Sequence, residues 1–365
     1  MNQIIAKAIS EIKPADKEIM TKAKERQAQL AKPPGSLGVL EELSVKVAGI
    51  TGKLHNKAEK CRIIVLCADN GVCEEGVSCT PQSVTLSQSI NLTRGMTGAS
   101  SLASHFGDEL AVVDVGIMSD YNCPAIINRK IAYGTKNFYK EPAMTREEAE
   151  KAICVGLEMA DLCAKDGVDV IGVGEMGIGN TTTSAAILSA LTGISASVTA
   201  GKGGGLLDEA YLHKIEVIDE AIKKHKPDID DPIDVISKVG GFDIAAMCGV
   251  FLGAAEHRIP VVIDGFISIV AALCAARLCP DVKDFLIASH ASFEPGYVLA
   301  MNELGLEAPL LMKMRLGEGS GCPIMFRVLD AAYAIMNEMA TFEEASIDDS
   351  YLEEIREGDH FTVKR

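Results

Sequence analysis

Short runs of apolar, largely β-branched residues recur through the middle of the chain and alternate with segments of helical periodicity. The apolar runs occupy residues 62–68, 110–115, 168–173, 260–263 and 284–288. The helical patterns occupy residues 81–106, 145–166, 182–191, 206–224, 244–256 and 267–277. Continuous apolar strands need cover on both faces, and strands that alternate with helices form a parallel sheet. The sequence therefore predicts an α/β fold built on a mainly parallel sheet.

The two ends of the chain have a different pattern. Apolar residues recur at helical spacing near the N-terminus, residues 32–36 (KPPGS) interrupt the pattern, and residues 37–50 form a second amphipathic segment. The last forty or so residues return to helix before an acidic tail at 343–359. We predict a large α/β domain at 61–325 and a small helical domain that combines residues 1–60 with 326–365.

Charge and cysteine usage exclude several classes of function. The chain has 51 acidic and 35 basic residues, a formal net charge of −16, and no Trp. This negative field disfavours nucleic acid and anionic membrane surfaces as partners. The 11 Cys residues include no CxxC pair, so we expect reduced thiols and no metal site. With neither a signal peptide nor a long apolar span, the expected location is the cytoplasm.

The segment 174–183 (GEMGIGNTTT) follows one apolar run and opens a helical pattern. Its glycines Gly174, Gly177 and Gly179 permit a tight turn, and the helix N-terminus favours an anion. Asn180 stands where a nucleoside-triphosphate loop carries lysine, so a monophosphate suits the loop better than ATP. A glycine-rich turn capped by threonines, without a ligand, is the structural alternative.

A second glycine cluster, residues 199–205 (TAGKGGG), precedes another helical pattern. Gly201, Lys202 and Gly203 indicate an anion-binding loop, because the flanking segments have the composition of a structured core. A flexible linker is the alternative.

Glu318 lies between two glycines in residues 315–321 (RLGEGSG). Glycines allow a ligand and the backbone to approach closely, so Glu318 is a candidate general base in a crowded pocket. Arg315 is a candidate partner for an anion or for Glu318. The alternative is a surface turn, although apolar residues flank the loop on both sides.

Residues 289–296 (SHASFEPG) bring Ser, His and Glu together after the last apolar run. A Ser/His nucleophile is conceivable, but adjacent residues point apart and the chain has no GxSxG elbow. Binding of a phosphate or ribose by hydroxyl groups is the preferred interpretation.

Several motifs occur together in a diagnostic order. They are KPPGSLG (32–38), ADNGV (68–72), EGVS (75–78), GEMGIGNTT (174–182), DGF (264–266), SHASFEPG (289–296) and RLGEGSG (315–321). They closely resemble the nicotinate-nucleotide:dimethylbenzimidazole phosphoribosyltransferases of cobamide lower-ligand activation, over essentially the whole chain. The resemblance implies a three-layer α/β/α domain with a Rossmann-like sheet, a small helical domain from both termini, and a homodimer.

The resemblance also implies a reaction. The lower-ligand base attacks C1′ of nicotinate mononucleotide, nicotinate leaves, and an α-ribotide 5′-phosphate forms. The pyridinium leaving group departs with a neutral ring nitrogen and needs no acid, whereas an incoming azole must lose a proton. Glu318 matches the family's catalytic base and Glu175 matches a second carboxylate near the reacting centre. No cofactor is implied.

The other pocket residues are assigned by the same resemblance. The aromatic base would be bound by Thr80, Gln88, Asp264 and Lys214. The phosphate and ribose would be bound by residues of the two glycine-rich loops and of the later segments, namely Gly174, Gly177, Gly179, Asn180, Thr181, Gly201, Lys202, Gly203, Ser292, Arg315 and Gly317.

The chain departs from the family pattern at a few positions. Asn70 stands where the family has His, Ala291 where it has Arg, and the KGGG run at 202–205 replaces Arg-Gly-Thr-Gly. Some relatives activate phenol or p-cresol as pairs of homologous subunits. A phenol-activating subunit of a heterodimer, or a catalytically weak supporting subunit, therefore remains an alternative to a homodimeric enzyme for benzimidazoles.

Overall fold

The structure, a computed structural model, describes residues 1–352. These residues divide into two compact units, one formed by Met1–Lys13 and Lys60–Met325 and the other by Pro14–Glu59 and the described residues from Phe326 to Leu352. The predicted small domain took in all of 1–60, whereas the first helix groups with the larger unit. Part of the predicted acidic tail and of the domain segment 326–365 lies outside the described residues.

The sheet of the larger unit has six strands, all parallel, in the order β3-β2-β1-β4-β5-β6. The strands are β1 Cys61–Ala68, β2 Glu109–Gly116, β3 Ile127–Asn128, β4 Val170–Met176, β5 Val261–Ile263 and β6 Leu286–Ala288. The predicted α/β class is confirmed, and each of the apolar runs forms a strand. The short edge strand β3 was not predicted, because two residues carry no periodic signal.

The described part of the chain contains fourteen α-helices. They are α1 Gln3–Glu11, α2 Lys17–Gln29, α3 Val39–Thr51, α4 Ser83–Thr93, α5 Gly98–Phe106, α6 Arg146–Lys165, α7 Asn180–Thr192, α8 Ala196–Thr199, α9 Asp208–His225, α10 Pro232–Val239, α11 Phe242–Glu256, α12 Phe266–Leu278, α13 Gly296–Leu304 and α14 Cys322–Glu338. No helix within residues 1–352 combines the length and apolar content that crossing a lipid bilayer requires.

Helix α11 packs against the strands and against α6, and it is buried on nearly all sides. Glycines allow the two helices to approach closely. A Cβ on Gly249 would contact the carbonyl oxygen of Ile153, and a Cβ on Gly156 would contact that of Ala246. Helix α1 groups with the larger unit because it packs on this same pair, α6 and α11.

The helical pattern at 81–106 forms two helices, α4 and α5, not one. Gly95 adopts a left-handed φ of 72° between them. Thr97 then caps α5, because its side chain accepts from the Ser100 amide while the Ser100 hydroxyl accepts from the Thr97 amide. The break creates a helix N-terminus that matters for the site described below.

In the smaller unit, α2 and α3 pack through a cluster of apolar side chains, Ala23, Val45, Ala48 and Met336. The KPPGSLG motif connects the two helices. Lys32 is only 7 % exposed, and its ammonium lies 2.7 Å from Glu41 on α3. The motif therefore has a structural role in this unit.

Candidate active site

A cleft lies in the larger unit where the loops after β4, β5 and β6 converge. Many of the residues predicted for binding line it, namely Thr80, Glu175, Gly177, Gly179, Asn180, Thr181, Gly203, Asp264, Ser292, Arg315 and Gly317. The carboxyl ends of parallel strands are where open α/β sheets bind their ligands. The location and the lining both favour a ligand site.

Six predicted residues do not line this cleft among the described residues: Gly174, Gln88, Gly201, Lys202, Lys214 and Glu318. Five of them lie directly behind the lining, as described below. Lys202 is different, because its side chain is exposed and its ammonium pairs with Asp208. The structure does not bring the Lys202 side chain together with the other predicted residues.

The glycine-rich segment 174–183, which the sequence predicts to bind a phosphate, joins β4 to α7. Gly179 adopts a φ of 92°, and a Cβ there would contact the thiol of Cys73. The Asn180 amide donates to the Gly177 carbonyl at 3.1 Å and the Thr182 amide to that of Gly179 at 2.9 Å, so the turn is closed internally. The loop ends at the N-terminus of a buried helix, which favours an anion.

The Asn180 side chain links two buried carboxylates. Its Nδ2 donates to Glu175 Oε2 and, at 3.1 Å, to Asp243 Oδ2. Burial raises the pKa of both carboxyl groups, and the charge of Asp243 raises that of Glu175 further. The side chain of Asn180 is thus engaged by protein groups, not turned to a phosphate.

Asp264, at the end of β5, fastens the loop that carries Glu318. Its carboxylate accepts the amides of Gly319 at 3.0 Å and Gly321 at 2.7 Å. Burial raises the pKa of Asp264 to about 7. Asp264 therefore lines the cleft and also anchors the neighbouring loop.

Glu318 is held in a conformation that its two glycine neighbours make possible. Gly317, Glu318 and Gly319 have φ values of 84°, 63° and 85°, and Glu318 is 2 % exposed. Glu318 Oε2 accepts the Ala99 amide at 3.2 Å, at the N-terminus of α5, and Oε1 faces Gln88 Nε2 at 3.5 Å. The Glu318 carboxylate therefore lies at the N-terminal, positive end of the α5 helix dipole.

Glu318 also contacts β4, the strand that leads into the glycine-rich segment 174–183. Its amide lies 3.4 Å from Glu175 Oε1, and a Cβ on Gly174 would contact the Glu318 carbonyl group. The two predicted carboxylates are therefore neighbours, with Gly174 as the spacer that lets the backbones meet.

Lys214 lies behind the two glycine-rich loops and is fully buried. Its ammonium donates to Thr181 Oγ1 at 2.9 Å and to the Gly201 carbonyl at 3.0 Å. Burial lowers its pKa to about 8, although Glu294 nearby acts in the opposite direction. Lys214 thus connects the loops and supplies positive charge behind them.

Ser289 and His290 do not form a nucleophilic pair. Ser289 Oγ donates to the Asp264 carbonyl at 2.8 Å and lies 3.1 Å from His290 Nδ1. Burial lowers the pKa of His290. Ser289 is buried behind the cleft, whereas His290 lines it.

Sequence reasoning missed two acids of the site. Asp243 gave a signal that was not used: it is the one acid in the apolar body of α11 before the terminal Glu256. Glu294 was seen in its motif but given no role, and it lines the cleft. Among the described residues, the His, Cys, Asp and Glu cluster with metal-ligand spacing is Asp161, Glu256 and His257, and none of these lines the cleft.

The chain is similar to known proteins over most of its length. The sequence model of the family DBI_PRT, described as phosphoribosyltransferase, matches residues 12–347. A nicotinate-nucleotide–dimethylbenzimidazole phosphoribosyltransferase from Clostridium perfringens is 55 % identical over 348 residues, 95 % of this chain and 96 % of its own. A protein of the same name from Clostridium tetani is 51 % identical over 356 residues, 97 % and 98 % of the two chains.

A solved structure supports the same relationship. The crystal structure of CobT from Thermus thermophilus superimposes with a TM-score of 0.88 at 36 % identity, over 91 % of this chain and 99 % of that one. The family match and these relatives extend over nearly the whole sequence. The chain therefore belongs to the phosphoribosyltransferase family DBI_PRT and is an enzyme that transfers a pentosyl group.

Proposed function

We propose that this enzyme transfers the phosphoribosyl group of nicotinate mononucleotide to a lower-ligand base, such as 5,6-dimethylbenzimidazole, for the nucleotide loop of a cobamide. The observation that carries the proposal is the contact between Glu318 and Glu175. It lies beside a glycine-rich loop that leads into the N-terminus of a helix. The reaction named for the relatives from Clostridium needs this combination of a base and an anion site.

The phosphoribosyl end occupies the side of the cleft formed by the two glycine-rich loops. Thr181 and Gly203 line that side, and Lys214 lies behind Thr181. Ser292 and Arg315 line the cleft as further hydroxyl and cationic partners. The positive charges of Lys214 and Arg315 offset the overall negative charge of the chain where an anionic substrate binds.

Glu318 acts as the general base. When the unprotonated ring nitrogen of an azole attacks C1′, the ring becomes positively charged unless its N–H proton leaves. A carboxylate must therefore accept that proton as the new bond forms. The Ala99 amide and Gln88 orient the Glu318 carboxylate. Glu175 lines the cleft and stabilises positive charge that develops on the ribose as nicotinate leaves. Holding both substrates in one cleft supplies much of the rate.

Replacement of the base tests the proposal. With nicotinate mononucleotide and dimethylbenzimidazole, Glu318→Gln is expected to lower kcat about 100-fold or more, because the proton has no acceptor. Nicotinate release measures turnover, and calorimetry of nicotinate mononucleotide binding is expected to give an unchanged affinity. Glu216→Gln, an exposed glutamate on α9, is the matched control. Normal turnover of Glu318→Gln removes Glu318 from the mechanism, and an inactive wild-type chain refutes the proposed reaction.

The identity of the acceptor base is a separate proposal. We place dimethylbenzimidazole first because the relatives carry that name, with phenol or p-cresol as the alternative that the departures at Asn70 and Ala291 leave open. Competition between dimethylbenzimidazole, adenine and phenol in one reaction, followed by separation of the ribotides, ranks the bases directly.

Assembly and location complete the proposal. We propose a cytoplasmic homodimer, with a heterodimer of homologous subunits, or a catalytically weak supporting subunit, as the alternatives. The eleven cysteines are free of disulfides, which fits a reducing compartment. Light scattering of the purified chain gives its mass, and activity of that chain alone excludes a purely supporting role.

A further inference from the structure

The chain segment that begins at the ADNGV motif contacts the glycine-rich segment 174–183, although the proposed reaction gives this motif no role. Three of its side chains, Asn70, Cys73 and Thr85, bond to the backbone of a single residue, Ile178. Asn70 and Thr85 are both 0 % exposed. Among the described residues, these three do not line the cleft, whereas Ile178 does. Interior side chains thus reach the wall of the candidate site through Ile178.

Both backbone polar groups of Ile178 are engaged by these side chains. Its amide donates to Thr85 Oγ1 at 3.1 Å. Its carbonyl accepts from Asn70 Nδ2 and from Cys73 Sγ, each at 3.3 Å. Burial raises the pKa of the Cys73 thiol to about 12, so the sulfur keeps its hydrogen and donates it. The two peptide planes that meet at Ile178 are therefore fixed in orientation.

Helix α4 supports this arrangement. Thr85 lies in its first turn, and its amide donates to the Gln82 carbonyl at 2.9 Å. Gln82, which precedes the helix, donates from Nε2 to the Asn70 carbonyl, also at 2.9 Å. Groups held by a helix place their partners more precisely than groups on a loop do. The contacts to Ile178 therefore come from a rigid part of the larger unit.

These contacts decide which amides of the turn remain for an anion. Thr85 takes the amide of Ile178, and backbone carbonyls within the turn take those of Asn180 and Thr182. A phosphate bound at this turn is left with the amides of the intervening residues, which line the cleft: Gly177, Gly179 and Thr181. Their directions depend on the peptide planes that Ile178 fixes.

We propose that Asn70, Cys73 and Thr85 are positioning residues that hold the turn at 177–181 in its phosphate-binding shape before the substrate arrives. This assignment rests on the proposed function. A loop that must become ordered when the ligand binds loses affinity, and a loop that is already ordered does not. The three side chains are therefore expected to act on the affinity for nicotinate mononucleotide and not on the chemical step, which Glu318 performs.

Thr85 allows the sharpest test, because valine has nearly the shape of threonine but cannot accept the Ile178 amide. In calorimetry, Thr85→Val is expected to weaken the binding of nicotinate mononucleotide about tenfold or more, with kcat within about threefold of wild type. Thr85→Ser keeps the hydroxyl group and is expected to bind within about twofold of wild type. Thr93→Val is the matched control on the same helix, since the Thr93 hydroxyl donates to the Ile90 carbonyl.

Three results of this comparison overturn the inference. They are unchanged affinity in Thr85→Val, an equal loss of affinity in Thr85→Val and Thr85→Ser, and a loss confined to kcat. If Thr85→Val does not fold, Cys73→Ala and Cys73→Ser decide the question. The alanine variant is expected to bind nicotinate mononucleotide about threefold more weakly and the serine variant to restore the affinity. Equal affinities of the wild type and Cys73→Ala would then overturn the inference.

Hydrogen exchange gives a readout that needs no ligand. Mass spectrometry of a peptide spanning residues 174–183 is expected to show faster amide exchange in folded Thr85→Val than in the wild type and Thr85→Ser. Unchanged exchange in Thr85→Val refutes the positioning role. An inactive wild-type chain refutes the proposed phosphoribosyl transfer, while the exchange comparison still decides whether Thr85 holds the turn. An active wild type with unchanged exchange in Thr85→Val leaves the transfer intact.

Discussion

Glu318 occupies a backbone conformation that few residues with a side chain adopt. Its φ of 63° is flanked by two glycines in the same left-handed region. A conformation of this kind costs roughly 1–3 kcal/mol and persists where the surrounding structure holds it. Here Asp264 holds the loop through the amides of Gly319 and Gly321. The strained residue, Glu318, is also the residue that the family resemblance identifies as the catalytic base.

Two lysines that look alike in the sequence are expected to behave differently. Lys214→Met is expected to raise KM for nicotinate mononucleotide by about 10- to 100-fold, since a charged donor behind the phosphate side is worth roughly 1.5–3 kcal/mol. Lys202→Met, the matched control, is expected to change KM less than about twofold, because Asp208 already engages its exposed ammonium. Equal effects in steady-state kinetics would contradict the assignment.

The titration of Lys214 gives a pH dependence with a defined sign. Its pKa is lowered to about 8, so the ammonium is charged below that pH and neutral above it. The wild-type KM for nicotinate mononucleotide is therefore expected to rise above pH 8. Lys214→Arg keeps its charge and is expected to flatten that rise, even if its KM is higher throughout. A wild-type KM that stays constant to pH 9.5 refutes this role.

At the residue scale, site residues that lie in recognisable motifs can be predicted from the sequence. Site residues that only folding brings together cannot. Glu318 and Glu175 lie in unusual glycine-rich strings. Asp243 lies in none, and its contact with Asn180 joins residues 63 positions apart. Whether Lys214 or Lys202 is buried also depends on how α9 packs, which the local sequence does not reveal.

At the scale of elements, the close approach of α6 and α11 depends on glycine. Gly249→Ala is expected to lower the free energy of unfolding by about 1–3 kcal/mol or more, because the new methyl group meets the Ile153 carbonyl and the helices must move apart. Urea unfolding monitored by circular dichroism measures the change. Lys151→Ala, at an exposed position of α6, is the control, expected within about 0.5 kcal/mol of wild type. Unchanged stability in Gly249→Ala would show that α6 and α11 yield easily.

Helices and strands were predictable where a regular apolar pattern extends over many residues without a break. The buried strands read as continuous apolar runs, and α6 and α11 as long periodic segments. The break between α4 and α5 depends on one left-handed glycine and one reciprocal cap, which the apolar pattern of 81–106 does not register. That break supplies the Ala99 amide that binds Glu318, so this part of the site could not be predicted from the sequence either.

At the scale of the whole molecule, buried carboxyl groups are expected to set the pH dependence of stability. Asp264 has an ordinary value of 3.8 and a folded pKa of about 7, so the folded chain binds a proton that the unfolded chain has released. Its contribution is complete below pH 4 and is lost as pH rises through 7. The slope it adds is at most about 1.4 kcal/mol per pH unit.

Urea unfolding between pH 4 and pH 8 measures this slope. Wild-type stability is expected to fall over that range, and Asp264→Asn to fall less steeply. Asp330→Asn, at an exposed position of α14, is expected to keep the wild-type slope. Identical slopes in all three proteins would show that Asp264 is ionised throughout.

The bonds from Asp264 to Gly319 and Gly321 span 55 and 57 residues of chain. Contacts so distant in sequence form only after the intervening segments, here α12, β6 and α13, have emerged and found their places. A nascent polypeptide still lacking residue 321 can complete its glycine-rich turn after β4 but cannot anchor the acid loop. During translation, the glycine-rich turn after β4 thus forms before the loop that carries Arg315 and the proposed base Glu318.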